Sequence, residues 1–187
     1  MNKEKIEKIE RLEKLLEKLI SKVNNIYFLT YDTKNNPRAS VKYIYDLALT
    51  LKNNGSNVKI LAEDKTYSGV QHWLGDAYNS LEIKTIKEDK VEINTEDIII
   101  IPEYYSSVLE QLKTLKCTKV MLIQQVEYIF ETLPIGSRWS DYGVFTAITT
   151  TEAAKKYIAT IFPETLVFII PPIIEDIFKP SEKLIKP

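Results

Sequence analysis

Cysteine and histidine are almost absent: the 187 residues hold one of each, Cys117 and His72. One thiol and one imidazole cannot build a disulfide, a Cys-x-x-Cys redox pair or a zinc site of the usual Cys/His kind, so no metal is expected. Cys117 falls where a strand should begin and reads as a small buried hydrophobe rather than half of a Cys/His dyad. His72 beside Trp73 lies in an irregular stretch and reads as a packing or surface residue rather than a base. Glycine is also scarce. The five, at 55, 69, 75, 136 and 143, match neither G-x-G-x-x-G nor a P-loop, which removes both common nucleotide-cradling loops. There is no charge excess of either sign. With 25 Lys and Arg against 26 Asp and Glu, the net charge of -1 offers no counterion release, so no nucleic-acid partner is expected. Long apolar runs are missing too. Ile98–Ile101 is typical, far short of the ~20 residues that span a bilayer. The charged amino terminus has no apolar h-region of a secretory signal, so a cytoplasmic protein is expected.

What the chain does have is periodicity. Residues 3–22 read as one helix, because Ile9, Leu12, Leu16, Leu19 and Val23 recur at steps of three and four among Lys and Glu. The pairs Glu4–Lys8, Glu7–Arg11 and Glu10–Lys14 add only ~0.2–0.5 kcal/mol each, so the apolar stripe must dock. It does so on its own domain, through self-association of two chains, or against another domain. Fewer than three heptads is short for a coiled coil.

Short apolar segments then alternate with helical ones. Strands are expected at Asn25–Tyr31, Val58–Ala62, Leu81–Ile86, Asp97–Ile101, Lys119–Ile123, Phe145–Thr149 and Leu166–Ile170. Helices are expected at about Arg38–Asn53, Ser106–Leu115 and Glu152–Ile161, with Gly55 just past the end of the first. The isoleucine run has no polar alternation, which marks a central strand buried on both faces. The fold class that follows is α/β: a Rossmann-like parallel sheet flanked by helices, with an extra amino-terminal amphipathic helix. Ligands of such sheets bind at the carboxyl ends of the strands. Three segments fall there: Tyr31–Ser40, Pro102–Tyr105 and Gln124–Tyr128.

Toward the carboxyl end a strand runs into Thr150-Thr151-Glu152-Ala153-Ala154. A second strand stops at Ile170-Pro171, and Ile174-Glu175-Asp176-Ile177-Phe178-Lys179-Pro180 follows. This order resembles the amino-terminal domain of GT-B glycosyltransferases of the retaining, family 4-like group. In that group a strand meets a Ser/Thr-Glu-Ala-Ala-like helix start, and a strand ending in Ile-Pro precedes a Phe-x-Pro exit from the domain. Ile98–Glu103 and Gln124-Gln125 are similar to the Ile-Pro-Glu and Asn-Gln strand ends of some members. The resemblance covers about residues 24–187. After the amphipathic helix, residues 1–23, which the periodicity gives, the resemblance implies an acceptor-side domain at 24–180 and the start of an interdomain linker at 181–187.

The resemblance further implies a glycosyltransferase that moves a sugar from a nucleotide-sugar donor to a glycan or lipid-linked acceptor. The donor is a co-substrate and no other cofactor is implied. A carboxyl-terminal GT-B domain, in cis or in trans, would hold most of the donor site, so this domain alone is expected to be inactive. A lipid-linked acceptor would place it at the membrane periphery. Three departures matter. Pro172-Ile173 stands where Asn-Gly is usual, the first strand-to-helix loop (Thr33–Ser40) lacks glycine, and Gln125 stands where many relatives carry a histidine. Glu88 and Glu96 have E-x7-E spacing but precede a strand of the wrong domain. Arg38 can supply a bidentate anion contact, although it also reads as an exposed helix-start residue. Glu103 beside Tyr104 combines a carboxylate with an aromatic face, although a helix-start charge is the plainer reading. Gln125 both donates and accepts hydrogen bonds. With Tyr128 and Thr151 these are the expected substrate-binding residues, and none is singled out as catalytic. The competing reading is a non-catalytic Rossmann-like binding or assembly module.

Overall fold

The computed structural model describes residues 23–62, 72–86 and 91–172. The expected helix at 3–22, Glu88 and the Phe-x-Pro exit lie outside the described residues. Seven strands form one all-parallel sheet in the order β3-β2-β1-β4-β5-β6-β7. They are β1 (Ile26–Thr30), β2 (Val58–Ala62), β3 (Glu82–Thr85), β4 (Ile98–Pro102), β5 (Thr118–Ile123), β6 (Val144–Thr149) and β7 (Leu166–Ile169). The isoleucine strand β4 pairs with β1 on one side and β5 on the other, and Ile99–Ile101 are buried. Two-sided burial is why it reads as a continuous apolar run.

Each face has its own core. Phe28, Ile60, Ile100 and Leu122 meet the long helix α1 (Ala39–Asn53). Val41, Ile44, Tyr45 and Ala48 are buried, a spacing of three, four and seven from Val41 that defines one helical face. Gly55, at φ +89°, follows the helix as its stop, and the Ser56 N–H closes back on the Leu51 carbonyl at 3.0 Å. The opposite face joins Leu29, Ile101, Met121, Ile123 and Ala147 to Leu109 of α2 (Leu109–Leu112), Ile129 of α3 (Ile129–Thr132) and Ile158 of α4 (Glu152–Ile161). Trp139 is fully buried there and stacks on Phe162 at 4.1 Å between ring centroids. Cys117 is buried in the same layer, and burial raises its thiol pKa, which suits the packing role.

Two expected elements differ. The helix expected over Ser106–Leu115 is a 3-10 segment, Glu103–Val108, with a kink at Tyr105, before the single turn of α2. The stretch after β5, where no helix is expected, winds into a 3-10 turn (Val126–Tyr128) and then α3. Neither stretch is long enough to show a helical apolar period. Among the described residues no helix is long and apolar enough to cross a membrane.

The amino edge of the sheet is pinned by Asp97, which is fully buried. Its Oδ1 accepts from the Asn25 backbone N–H at 3.0 Å and from Asn25 Nδ2 at 2.8 Å, and its Oδ2 accepts from the Asn94 N–H at 2.7 Å. One side chain thereby joins the starts of the two central strands. Since β2 and β4 flank β1, the chain reverses its direction of winding between β1 and β4, and the switch point opens at the carboxyl edge.

Candidate functional site

Three loops meet at that switch point, those after β1, β4 and β5, and hydrogen bonds stitch them together. Gln124 Nε2 donates to the Ser40 carbonyl at 3.0 Å, tying the β5 loop to the start of α1. The Gln125 backbone N–H donates to Glu103 Oε1 at 3.0 Å, tying the β5 loop to the β4 loop. Tyr105 Oη donates to the Thr30 carbonyl at 3.4 Å, a longer tie from the β4 loop to the end of β1. Behind them Trp73 Nε1 donates to Thr33 Oγ1 at 3.1 Å, anchoring the β1 loop to the 3-10 turn His72–Leu74.

The loops enclose a cavity of about 430 Å³ whose walls include Tyr31, Arg38, Ser40, Glu103, Tyr104, Gln125, Tyr128 and Glu131. That volume falls within the ~300–1,000 Å³ range of small-molecule sites. Five of the six expected substrate-binding residues stand together here: Arg38, Glu103, Tyr104, Gln125 and Tyr128. Thr151 does not line it. Its hydroxyl caps α4 by accepting from the Ala154 N–H at 3.2 Å, the structural role that a hydroxyl between strand and helix commonly takes. Tyr31, Ser40 and Glu131 complete the cavity. Tyr31 and Ser40 lie in the first edge segment, and only their inward position was missed. Glu131 lies three residues after Tyr128, on one helical face with it, a relation hidden until the turn after β5 was seen to be helical. A smaller recess of about 170 Å³, bounded by Leu29, Thr30, Ile86, Tyr105 and Val108 among others, shares no residue with this cavity.

The aromatic wall is a contact cluster. Tyr31 meets Tyr104 edge to face at 5.3 Å, and Tyr104 lies tilted against Tyr105 at 5.1 Å. Burial raises the Tyr104 phenol pKa, with smaller contributions from Tyr31, Tyr105 and Glu103, so it stays protonated. Glu103 is the unusual member. It is 1% exposed, and its Oε2 meets no hydrogen-bond donor among the described residues. Burial raises its pKa and the Glu127 charge adds to this, while backbone N–H groups of Glu103, Gln124 and Gln125 pull it partly back. The result is a carboxyl group biased toward its neutral form in the wall of the cavity.

At the other end Arg38 serves as the N-cap residue of α1 without capping it. Its side chain accepts nothing from the helix start, and the first turn holds no acidic residue. The first backbone bond into the helix is from the Lys42 N–H to the Arg38 carbonyl, so the N–H groups of Ala39, Ser40 and Val41 have no acceptor among the described residues. Arg38 itself is exposed and makes no ion pair with a described residue. The loop reaches this position without glycine because Lys34 and Asn35 adopt left-handed conformations, at φ 51° and 60°. The Asn36 N–H closes that turn on the Thr33 carbonyl at 3.0 Å, and the Lys34 N–H is held by Asp32 Oδ1 at 2.7 Å.

No protein-family model matches the chain, and neither does any curated protein or solved structure. The chemistry must therefore be argued from the cavity. It offers one amide that can donate and accept, tyrosine rings and hydroxyls, a guanidinium, a helix start and two carboxyl groups. It has neither an imidazole nor a thiol to act as a nucleophile or a base.

Proposed function

We propose that this chain forms the acceptor-side domain of a GT-B glycosyltransferase, which transfers a sugar from a nucleotide-sugar donor to a glycan or lipid-linked acceptor. The observation that carries the reading is the convergence of the three carboxyl-edge loops on one cavity walled by Tyr31, Tyr104, Tyr128 and Gln125. Aromatic faces pack against the C–H faces of sugar rings, while the Gln125 amide pairs with hydroxyls as both donor and acceptor. The domain's share of catalysis is positioning. It fixes the acceptor hydroxyl in a dry cleft, and a second domain brings the donor to it.

The test is a donor screen on a protein in which this domain is joined to, or mixed with, a second Rossmann-like domain. Transfer from at least one nucleotide sugar is expected. Gln125→Ala and Tyr128→Ala should raise the acceptor KM about tenfold while changing the donor KM little. Absence of transfer from every nucleotide sugar, or transfer indifferent to both substitutions, would sink the proposal.

A binding or assembly module is the second reading, and one observation favours it. Leu166 and Phe168 on the edge strand β7 are 60% and 50% exposed, an apolar surface suited to a partner. If that face serves assembly, replacing both residues with Ser should convert an oligomer into a monomer in light scattering. The transferase reading requires acceptor binding in the monomer as well.

A further inference from the structure

We propose that the apolar outer half of one sheet face, over β5, β6 and β7, is the docking surface for residues 3–22 of the same chain, seated there as a helix beside α1. The topology leaves that half bare. The connections from β4 to β7 place α2, α3 and α4 in one layer, with Leu109, Ile129 and Ile158 on one face of the sheet. On the other face α1 meets Phe28, Ile60 and Ile100. Crossovers between parallel strands keep one hand, so a connection between β4 and β7 does not return to the α1 face. Only a segment outside the seven strands can cover it.

The side chains on that half are apolar all the same. Val167 faces the layer of α2, α3 and α4 and is buried, whereas its neighbours Leu166 and Phe168 face the other way and are half or more exposed. Ile148 stands opposite Phe168 in the β6–β7 ladder and packs against the α1 layer. Across from them, α1 forms the second wall. One of its flanks is taken, because Lys42 and Asp46 bond to Tyr78 of the 3-10 turn Asp76–Ser80 that leads into β3. The other flank carries Tyr43, Leu47 and Leu51, spaced by one helical turn, and Tyr43 Oη donates to the Ile170 carbonyl just past β7. β1 and β7 stand four strand spacings apart, ~19 Å, and helices pack ~8–10 Å from one another, which leaves room for one helix between α1 and the sheet edge.

Three observations choose the occupant. Val23, just before β1, already packs in the α1 layer, so residues 3–22 lead into the sheet from this face. Their stripe of Ile9, Leu12, Leu16 and Leu19 continues to Val23 and leaves Lys and Glu for the solvent side. As a helix they are ~30 Å long, more than the ~19 Å from β1 to β7. Residues 173–187, which follow β7, are interrupted by Pro180 and do not supply a helix of that length.

The test uses the full chain carrying a nitroxide at Lys14→Cys, on the polar side of the stripe, while the buried Cys117 stays unlabelled. In ¹⁵N-labelled protein the nitroxide should cost the amide signals of Leu47, Ile148 and Phe168 much of their intensity and cost those of Leu109 and Trp139, behind the sheet, far less. Leu12→Asp with Leu16→Asp should abolish that loss and lower Tm by at least about 4 °C. An equal mixture of ¹⁵N protein without the nitroxide and unenriched protein with it should show no loss, because the segment docks on its own chain. Loss in the mixture would seat the segment on a second copy and overturn the proposal in favour of assembly. Signals of β6 and β7 unchanged by the nitroxide would overturn it as well. The transferase reading does not depend on this contact and is judged separately, in the donor screen.

Discussion

At the amino edge of the sheet Asp97 is buried with its carboxylate fully engaged, holding Asn25 and Asn94 through three hydrogen bonds. At the carboxyl edge Glu103 is just as buried, yet one of its oxygens has no partner and its pKa is raised. The same functional group is thus a rivet at one end and only half satisfied at the other. The nearby backbone repeats the contrast. Gly55 absorbs the left-handed turn that follows α1 toward the amino edge, whereas at the carboxyl edge Lys34 and Asn35 must adopt that conformation with side chains. An unpartnered buried oxygen and a left-handed loop beside one cavity are what a binding site leaves behind, because groups that wait for a ligand cannot all be satisfied without it.

Breaking the rivet should have the largest effect. Asp97→Ala removes the buried carboxylate that holds the Asn25 and Asn94 N–H groups and leaves a cavity between the two strand starts, so urea denaturation should show a loss of about 3 kcal/mol. A loss below about 1 kcal/mol would erase the distinction between the two ends. Glu103→Gln should do the reverse at neutral pH. Because the folded-state pKa of Glu103 is raised above 4.5, its contribution is fully present below the unfolded-state value and is lost as pH rises through the folded-state value. Thermal melts of the parent should therefore weaken across that window relative to Glu103→Gln, which has no proton to release there. Parallel curves for the two proteins would count against the burial argument. The smallest effect is expected from Lys34→Gly, which removes a left-handed side chain while keeping the N–H bond to Asp32. It should gain about 0.5–1 kcal/mol, or roughly 1–3 °C in Tm.

The amino acid order made the sheet plain and the site only partly so. Ile98–Ile101 and Val120–Ile123 are apolar on every residue, which two covered faces demand, and the parallel rule then marked the correct edge. That rule is why Arg38, Glu103, Tyr104, Gln125 and Tyr128, scattered over ninety positions, stand in one wall. Glu131 stayed hidden because a 3-10 turn followed by a four-residue helix is too short to show a period. Thr151 looked like a site residue because the hydroxyl of an N-cap and that of a ligand contact are the same group, and only the position of the Ala154 N–H separates them. The unpartnered oxygen of Glu103 has no signature in sequence at all, since it depends on which donors fail to arrive.

The two tryptophans sit in opposite surroundings. Trp139 is sealed in the dry layer against Phe162, and Trp73 is half-buried with its ring nitrogen on Thr33, in the loop that leads to Arg38. Indole emission depends on the polarity around the ring, so the two should give separable optical signals. Substituting Trp139 by Phe would remove the core indole and leave Trp73, tied to the loop beside the cavity, as the one tryptophan. The chain then carries a built-in optical reporter of ligand entry, read without labels at protein concentrations far below those that NMR requires.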